Sequence, residues 1–110
     1  LLTSNPAAIE EFRQDRLLHR WISLQLAVAA YDAGKAALAA AQNCSIPILG
    51  LHSPDDAVTS CAATRQFCER TPAGEYWEWP GLKHELQHEA GWEERYKQVG
   101  DWLIRRLARE

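Results

Sequence analysis

Two side chains in this sequence have the type and setting for proton transfer. Asp56 lies in Leu51-His52-Ser53-Pro54-Asp55-Asp56-Ala57-Val58, and His84 in Pro80-Gly81-Leu82-Lys83-His84-Glu85-Leu86. An imidazole changes charge near neutral pH, so it can take a proton and return it within one reaction cycle. A carboxylate against its other ring nitrogen fixes the tautomer and stabilises the imidazolium that forms. Alone, the aspartate reads as a turn former and the histidine as a solvated loop residue. Together, acid before base and each just past a strand, they read as a catalytic pair.

A second pattern overlaps the histidine. His84-Glu85-Leu86-Gln87-His88 fits H-E-x-x-H, and Gly91 continues it toward a longer zinc-protease pattern, with Glu94 where a third histidine would stand. Zinc binding by this motif needs both histidines on one face of a continuous helix. Pro80-Gly81 denies such a helix its upstream turns. The expectation is therefore no metal ligand and no cofactor.

The elements that must position the pair follow from punctuation and periodicity. Ile46 to His52 is a short apolar run opened by Pro47 and closed by Ser53-Pro54-Asp55-Asp56, as for a strand buried on both faces. Thr59 or Ser60 caps a helix to about Arg70, with Ala63 and Phe67 on one side. After the turn Thr71-Pro72-Ala73-Gly74, the run Glu75 to Trp79 has strand composition and stops at Pro80-Gly81. The last helix runs from about Gly91 to Arg109, and Tyr96, Val99, Leu103 and Leu107 form an apolar stripe expected to face a sheet. Upstream, Ser4 or Asn5 caps a short helix from Pro6 to about Arg13. A longer Ala-rich helix spans Trp21 to about Gln42, with a kink or break possible at Gly34 and a stop at Asn43. Strand, helix, strand, helix implies parallel strands and the α/β class, with Asp56 and His84 on one rim at the strands' carboxyl ends.

Composition bounds the rest. At 46% apolar, 25% charged and net charge −3 the chain has the balance of a globular protein, not a disordered one. No run reaches the roughly 20 apolar residues of a membrane helix. Arg95, Lys97, Arg105, Arg106 and Arg109 sit toward a helix C-terminus, where cations offset the macrodipole, so nucleic-acid binding gains no support. Cys44, Cys61 and Cys68 are odd in number, which favours a reducing, cytoplasmic setting. The chain holds no methionine, and a strand buried on both faces needs neighbours that two strands cannot supply. Both facts suit the C-terminal part of a larger domain.

From Asp15 onward the chain resembles the C-terminal part of monoacylglycerol lipase-like and lysophospholipase-like serine hydrolases, a serine aminopeptidase-like family of the α/β-hydrolase fold. Asp15-Arg16-Leu17-Leu18-His19 is similar to the family's Asp-Pro-Leu cap segment, with Arg16 in place of Pro. His52-Ser53-Pro54-Asp55-Asp56 is similar to its His-Gly, two variable residues and catalytic Asp. Gly81-Leu82-Lys83-His84-Glu85-Leu86 matches Gly-x-x-His-Glu-Leu around its catalytic His, followed by a final helix containing Asp101-Trp102-Leu103.

The resemblance implies a cap- or lid-derived segment over residues 1–42 and an α/β-hydrolase core portion over 43–110. It makes Asp56 the triad acid, leaves Asp55 exposed, and makes His84 the base in hydrolysis of a lipid ester without a cofactor. Ser53 stands where the family has Gly, so a positive φ there would be strained. Trp77, Trp79 and Trp92 suit either an acyl pocket or ordinary packing, and Trp21 and the helix after it suit either a lid that touches membrane peripherally or an ordinary covering helix. No Gly-x-Ser-x-Gly elbow occurs, and Ser45, Ser53 and Ser60 are in the wrong contexts to replace it. These residues alone are then expected to be inactive, the nucleophile coming from a missing N-terminal part of the same fold. The alternatives are a non-catalytic binding domain on this fold and, through His84 and His88, a zinc protease.

Overall fold

The computed structural model describes residues 2–19 and 21–108. Helix α1 (Pro6–Gln14) begins where Asn5, not Ser4, accepts the Ala7 amide on its side chain at 3.0 Å. Helix α2 (Leu24–Ala40) begins three residues beyond Trp21 because Ser23 is its cap, accepting the Leu26 amide at 3.1 Å. Gly34 lies within α2 without breaking it, and the helix tightens into a 3-10 turn at Ala41–Asn43.

Strand β1 (Ile48–His52) pairs in parallel with β2 (Gly74–Glu78), in the register Ile48↔Gly74 through His52↔Glu78. The ladder opens just after Pro47, which has no amide to give; its first bond is Ile48 N–H to the Ala73 carbonyl at 3.2 Å. Beyond the last paired residues, Trp79 N–H reaches the His52 carbonyl at 2.9 Å and holds the two strand ends together. The α/β class expected from the sequence is the one observed. The expectation that β1 is buried on both faces is not met: its first four residues are half-buried and only His52 is buried, because β2 is its one neighbour among the described residues.

Helix α3 (Cys61–Arg70), capped by Ser60, connects the strands. Ala63 and Phe67 are half-buried on its inner side, and the side chain seated deepest is Cys68. Two glycines allow that seat. A Cβ on Gly50 would overlap Cys68 Sγ, and one on Gly74 would overlap the Cys68 carbonyl. Burial raises the Cys68 thiol pKa, and all three cysteines are free thiols.

Helix α4 (Trp92–Leu107) starts from Gly91, whose φ of 75° lies in the left-handed region that glycine enters at little cost. Arg109, at the expected helix end, lies outside the described residues. The expected apolar stripe does not face the sheet: Tyr96, Leu103 and Leu107 are exposed and Val99 is half-buried. A polar anchor turns the helix instead. Glu75 on β2 accepts Trp102 Nε1 at 2.8 Å, Trp77 Nε1 at 3.0 Å and an Arg106 guanidinium nitrogen at 3.2 Å. The bond from Trp102 is the largest of the effects that lower the Glu75 pKa. Trp102, Arg106 and Arg95 thus take the inner face, and the apolar residues between them face away.

Candidate active site

The site is built at the carboxyl ends of β1 and β2. A turn closes over residues 53–56, with the Asp56 amide donating to the Ser53 carbonyl at 3.2 Å. Asp56 then folds its own carboxylate over the next turn. Oδ1 accepts the Val58 amide at 2.7 Å and the Thr59 amide at 3.4 Å, and the Thr59 hydroxyl donates to Oδ2 at 2.7 Å. The side chain is only 3% exposed.

His84 arrives from the other loop. Pro80-Gly81 turns the chain, with Gly81 at φ 80°, and the imidazole comes back over the rim until Nδ1 stands 2.9 Å from Asp56 Oδ2. An unprotonated nitrogen would repel the carboxylate at that distance, so Nδ1 carries a proton, which in the neutral imidazole leaves the lone pair on Nε2. The His84 side chain is 34% exposed, so its ring is reachable from solvent. Burial taken alone would push the Asp56 pKa up. The hydrogen bonds from His84, the Val58 amide and Thr59 outweigh it and hold the carboxyl well below the usual carboxylate range.

Two further side chains clamp the loops to each other. Ser53, fully buried, accepts the Asp55 amide at 3.2 Å and the Leu82 amide at 3.3 Å on its hydroxyl. Among the described residues only glycines have positive φ, so Ser53 does not take the conformation that would strain it, and its hydroxyl bridges the Asp56 loop to the His84 loop. Asp55 is exposed, as expected, and its Oδ2 accepts the Gly81 amide at 2.6 Å. Behind the His84 loop, the Glu85 amide donates to the Leu2 carbonyl at 2.8 Å and the Ser4 amide to Glu89 Oε1 at 2.6 Å.

The zinc arrangement requires a helix that is not there. His84 precedes the 3-10 turn Leu86–His88, and its Nδ1 is committed to Asp56. His88 packs edge-on against Phe12 at 5.4 Å between ring centroids. Among the described residues no group of three histidine, cysteine or acidic side chains is arranged to hold a metal ion.

With that geometry in place, comparison with known proteins is decisive at the level of family. Residues 1–91 match the family model described as serine aminopeptidase, S33. The chain belongs to the S33 serine aminopeptidase family. The crystal structure of the Paleococcus ferrophilus monoacylglycerol lipase superposes with a TM-score of 0.83 at 28% identity, over 94% of this chain and 42% of the lipase. An uncharacterised abhydrolase domain-containing protein of Dictyostelium discoideum is 29% identical over 112 residues, covering 97% of this chain and 12% of that protein. This S33 chain thus spans less than half the length of either.

Sequence reasoning placed Asp56 and His84 on one rim and missed what holds them. Thr59, Ser53 and the Leu2–Ser4 backing carry no signature beyond their polar side chains or, in the last case, none. His52 was legible as the end of a strand but not as a site residue. It is 8% exposed, and its Nε2 lies 2.9 Å from the same Oδ2 that receives His84.

Proposed function

We propose that Asp56 and His84 are the acid and the general base of a Ser-His-Asp triad in a carboxylic-ester hydrolase acting on lipid monoesters such as monoacylglycerols or lysophospholipids. The contact of 2.9 Å between His84 Nδ1 and a covered Asp56 carboxylate carries the proposal. In the forward step His84 Nε2 takes the proton of a serine hydroxyl as its oxygen attacks the acyl carbon. The imidazolium, held by Asp56, then gives that proton to the departing alcohol oxygen as its bond to the acyl carbon breaks. Water repeats the two transfers to release the fatty acid and restore the serine. No cofactor is needed for either half.

The serine and the oxyanion donors come from outside these 110 residues, which contain no Gly-x-Ser-x-Gly. The edge of β1 that is unpaired among the described residues offers a place for the sheet to continue toward them. Residues 1–110 alone are expected to show no turnover. The lipid-ester assignment is supported by the likeness to the Paleococcus ferrophilus lipase. Segment 1–42 acts as the lid region, and its α2 presents Leu24, Val28 and Tyr31 on one exposed face as a surface for peripheral contact with a lipid interface. No helix among the described residues is long and apolar enough to cross a membrane. Three free thiols support a reducing, cytoplasmic location.

The test is turnover of a monoacylglycerol and of a soluble p-nitrophenyl ester by the full-length protein. His84→Ala should lower kcat by about 10⁴-fold or more on both, with folding retained. Near-normal turnover in that variant would remove His84 from the mechanism.

A further inference from the structure

We infer that His52 is a positioning residue for the triad acid, a second imidazole that holds Asp56 and never takes part in the proton transfer. The inference rests on the triad assignment of Asp56 and His84 and extends it.

Asp56 Oδ2 is approached by three groups: Thr59 Oγ1 at 2.7 Å, His84 Nδ1 at 2.9 Å and His52 Nε2 at 2.9 Å. A ring nitrogen that close to a carboxylate oxygen must present a proton, so His52 carries hydrogen on Nε2. Its other nitrogen, Nδ1, lies 2.8 Å from the Thr64 hydroxyl on α3. The other acceptor for that hydroxyl proton is the Ser60 carbonyl, at 3.5 Å. With Thr64 donating to the nearer Nδ1, the arrangement we infer, His52 is the neutral Nε2–H tautomer. His84, with its proton on Nδ1, is the opposite tautomer at the same oxygen.

The two imidazoles differ in what surrounds them. His52 is the last residue of β1, its carbonyl tied to Trp79 N–H at 2.9 Å and its side chain 9% exposed. His84 rides on a loop with its side chain 34% exposed. One is a fixed donor on a strand and the other is open to the reacting groups. Because His52 is neutral, it orients Oδ2 without cancelling the charge that must stabilise an imidazolium on His84. A charged side chain at the same place would compete with His84 for that carboxylate.

The test uses the full-length protein with ¹⁵N-labelled histidine. Two-bond ¹H–¹⁵N coupling patterns at neutral pH should show the Nε2–H tautomer for His52 and the Nδ1–H tautomer for His84, with assignments from single variants. A proton on His52 Nδ1, with or without one on Nε2, would overturn the inference. In turnover, His52→Phe should lower kcat by about 10- to 100-fold and leave KM within about twofold, because His52 touches no substrate. His52→Gln places an amide N–H where Nε2–H stands and should recover most of the loss. Equal kcat losses in Phe and Gln variants of unchanged melting temperature would overturn it too. Should the Phe variant fail to fold, the wild-type tautomer and the Gln variant decide. Near-normal turnover in His52→Phe beside a dead His84→Ala would sink this inference alone, whereas turnover surviving in His84→Ala would sink the triad assignment with it.

Discussion

The strand-end rim and helix α2 are opposites. At the rim Ser53 and the Asp56 side chain are buried, and their partners come from residues 52–84 of the same chain. Along the 17 residues of α2 nothing is buried, and Leu24 and Tyr31 are 81% and 69% exposed. The difference is one of range. Hydrogen bonds act over about 3 Å and are fixed by local turns and a few donors, so a small part of a fold can complete them. Apolar burial grows with area and needs an opposing surface, which the described residues do not supply to α2 or to the outer face of α4. A chain can therefore hold a well-bonded carboxylate–imidazole pair beside apolar faces that its described residues leave uncovered.

The largest effect should come from breaking the rim itself. In the full-length protein Asp56→Asn is expected to lower kcat by about 10⁴-fold, since an amide cannot hold an imidazolium. Asp55→Asn should cost about tenfold or less, because an amide oxygen can still accept the Gly81 amide. The reverse ranking would move the triad acid by one residue. The depressed Asp56 pKa also sets a sign with pH. A carboxyl held lower in the fold than in the unfolded chain adds stability that is complete above about pH 4 and is lost as pH falls below it. Asp56→Asn should flatten that part of the stability curve; an unchanged acid limb would contradict the assigned hydrogen bonds.

A smaller effect should come from behind the rim. Gly50→Ala would drive a methyl group into Cys68 Sγ and place it 3.2 Å from Thr64 Cγ2, disturbing the helix that carries the His52 partner. Denaturant unfolding should show a loss of about 1–3 kcal/mol, and no loss would mean that α3 packs less closely than described. The smallest effect belongs to α2. Leu26→Ser should change stability by no more than about 0.5 kcal/mol if the helix faces outward in the complete protein. A loss of about 2 kcal/mol or more would show that another part of the protein covers it.

How much of this was legible in the sequence follows the same division. Asp56 and His84 could be placed because prolines and glycines mark where each strand stops, and parallel strands put both stops on one edge. The caps Asn5, Ser23 and Ser60 lay within three residues of the expected helix starts for the same local reason. The missed features are long-range. Nothing near Ser4 announces Glu89, and nothing in β1 says that His52 will share an oxygen with His84. The α4 stripe misled because periodicity identifies an apolar face without saying what meets it, and here Glu75 draws Trp102 and Arg106 inward instead.

The coupling of acid and base is tested most directly by a double-mutant cycle on kcat in the full-length protein, using Asp56→Asn, His84→Ala and the double variant. If the two groups act as one unit, the double variant will be no slower than His84→Ala alone, within about threefold. Losses that multiply, with each substitution contributing its full factor in the absence of the other, would contradict a proton held between Asp56 and His84.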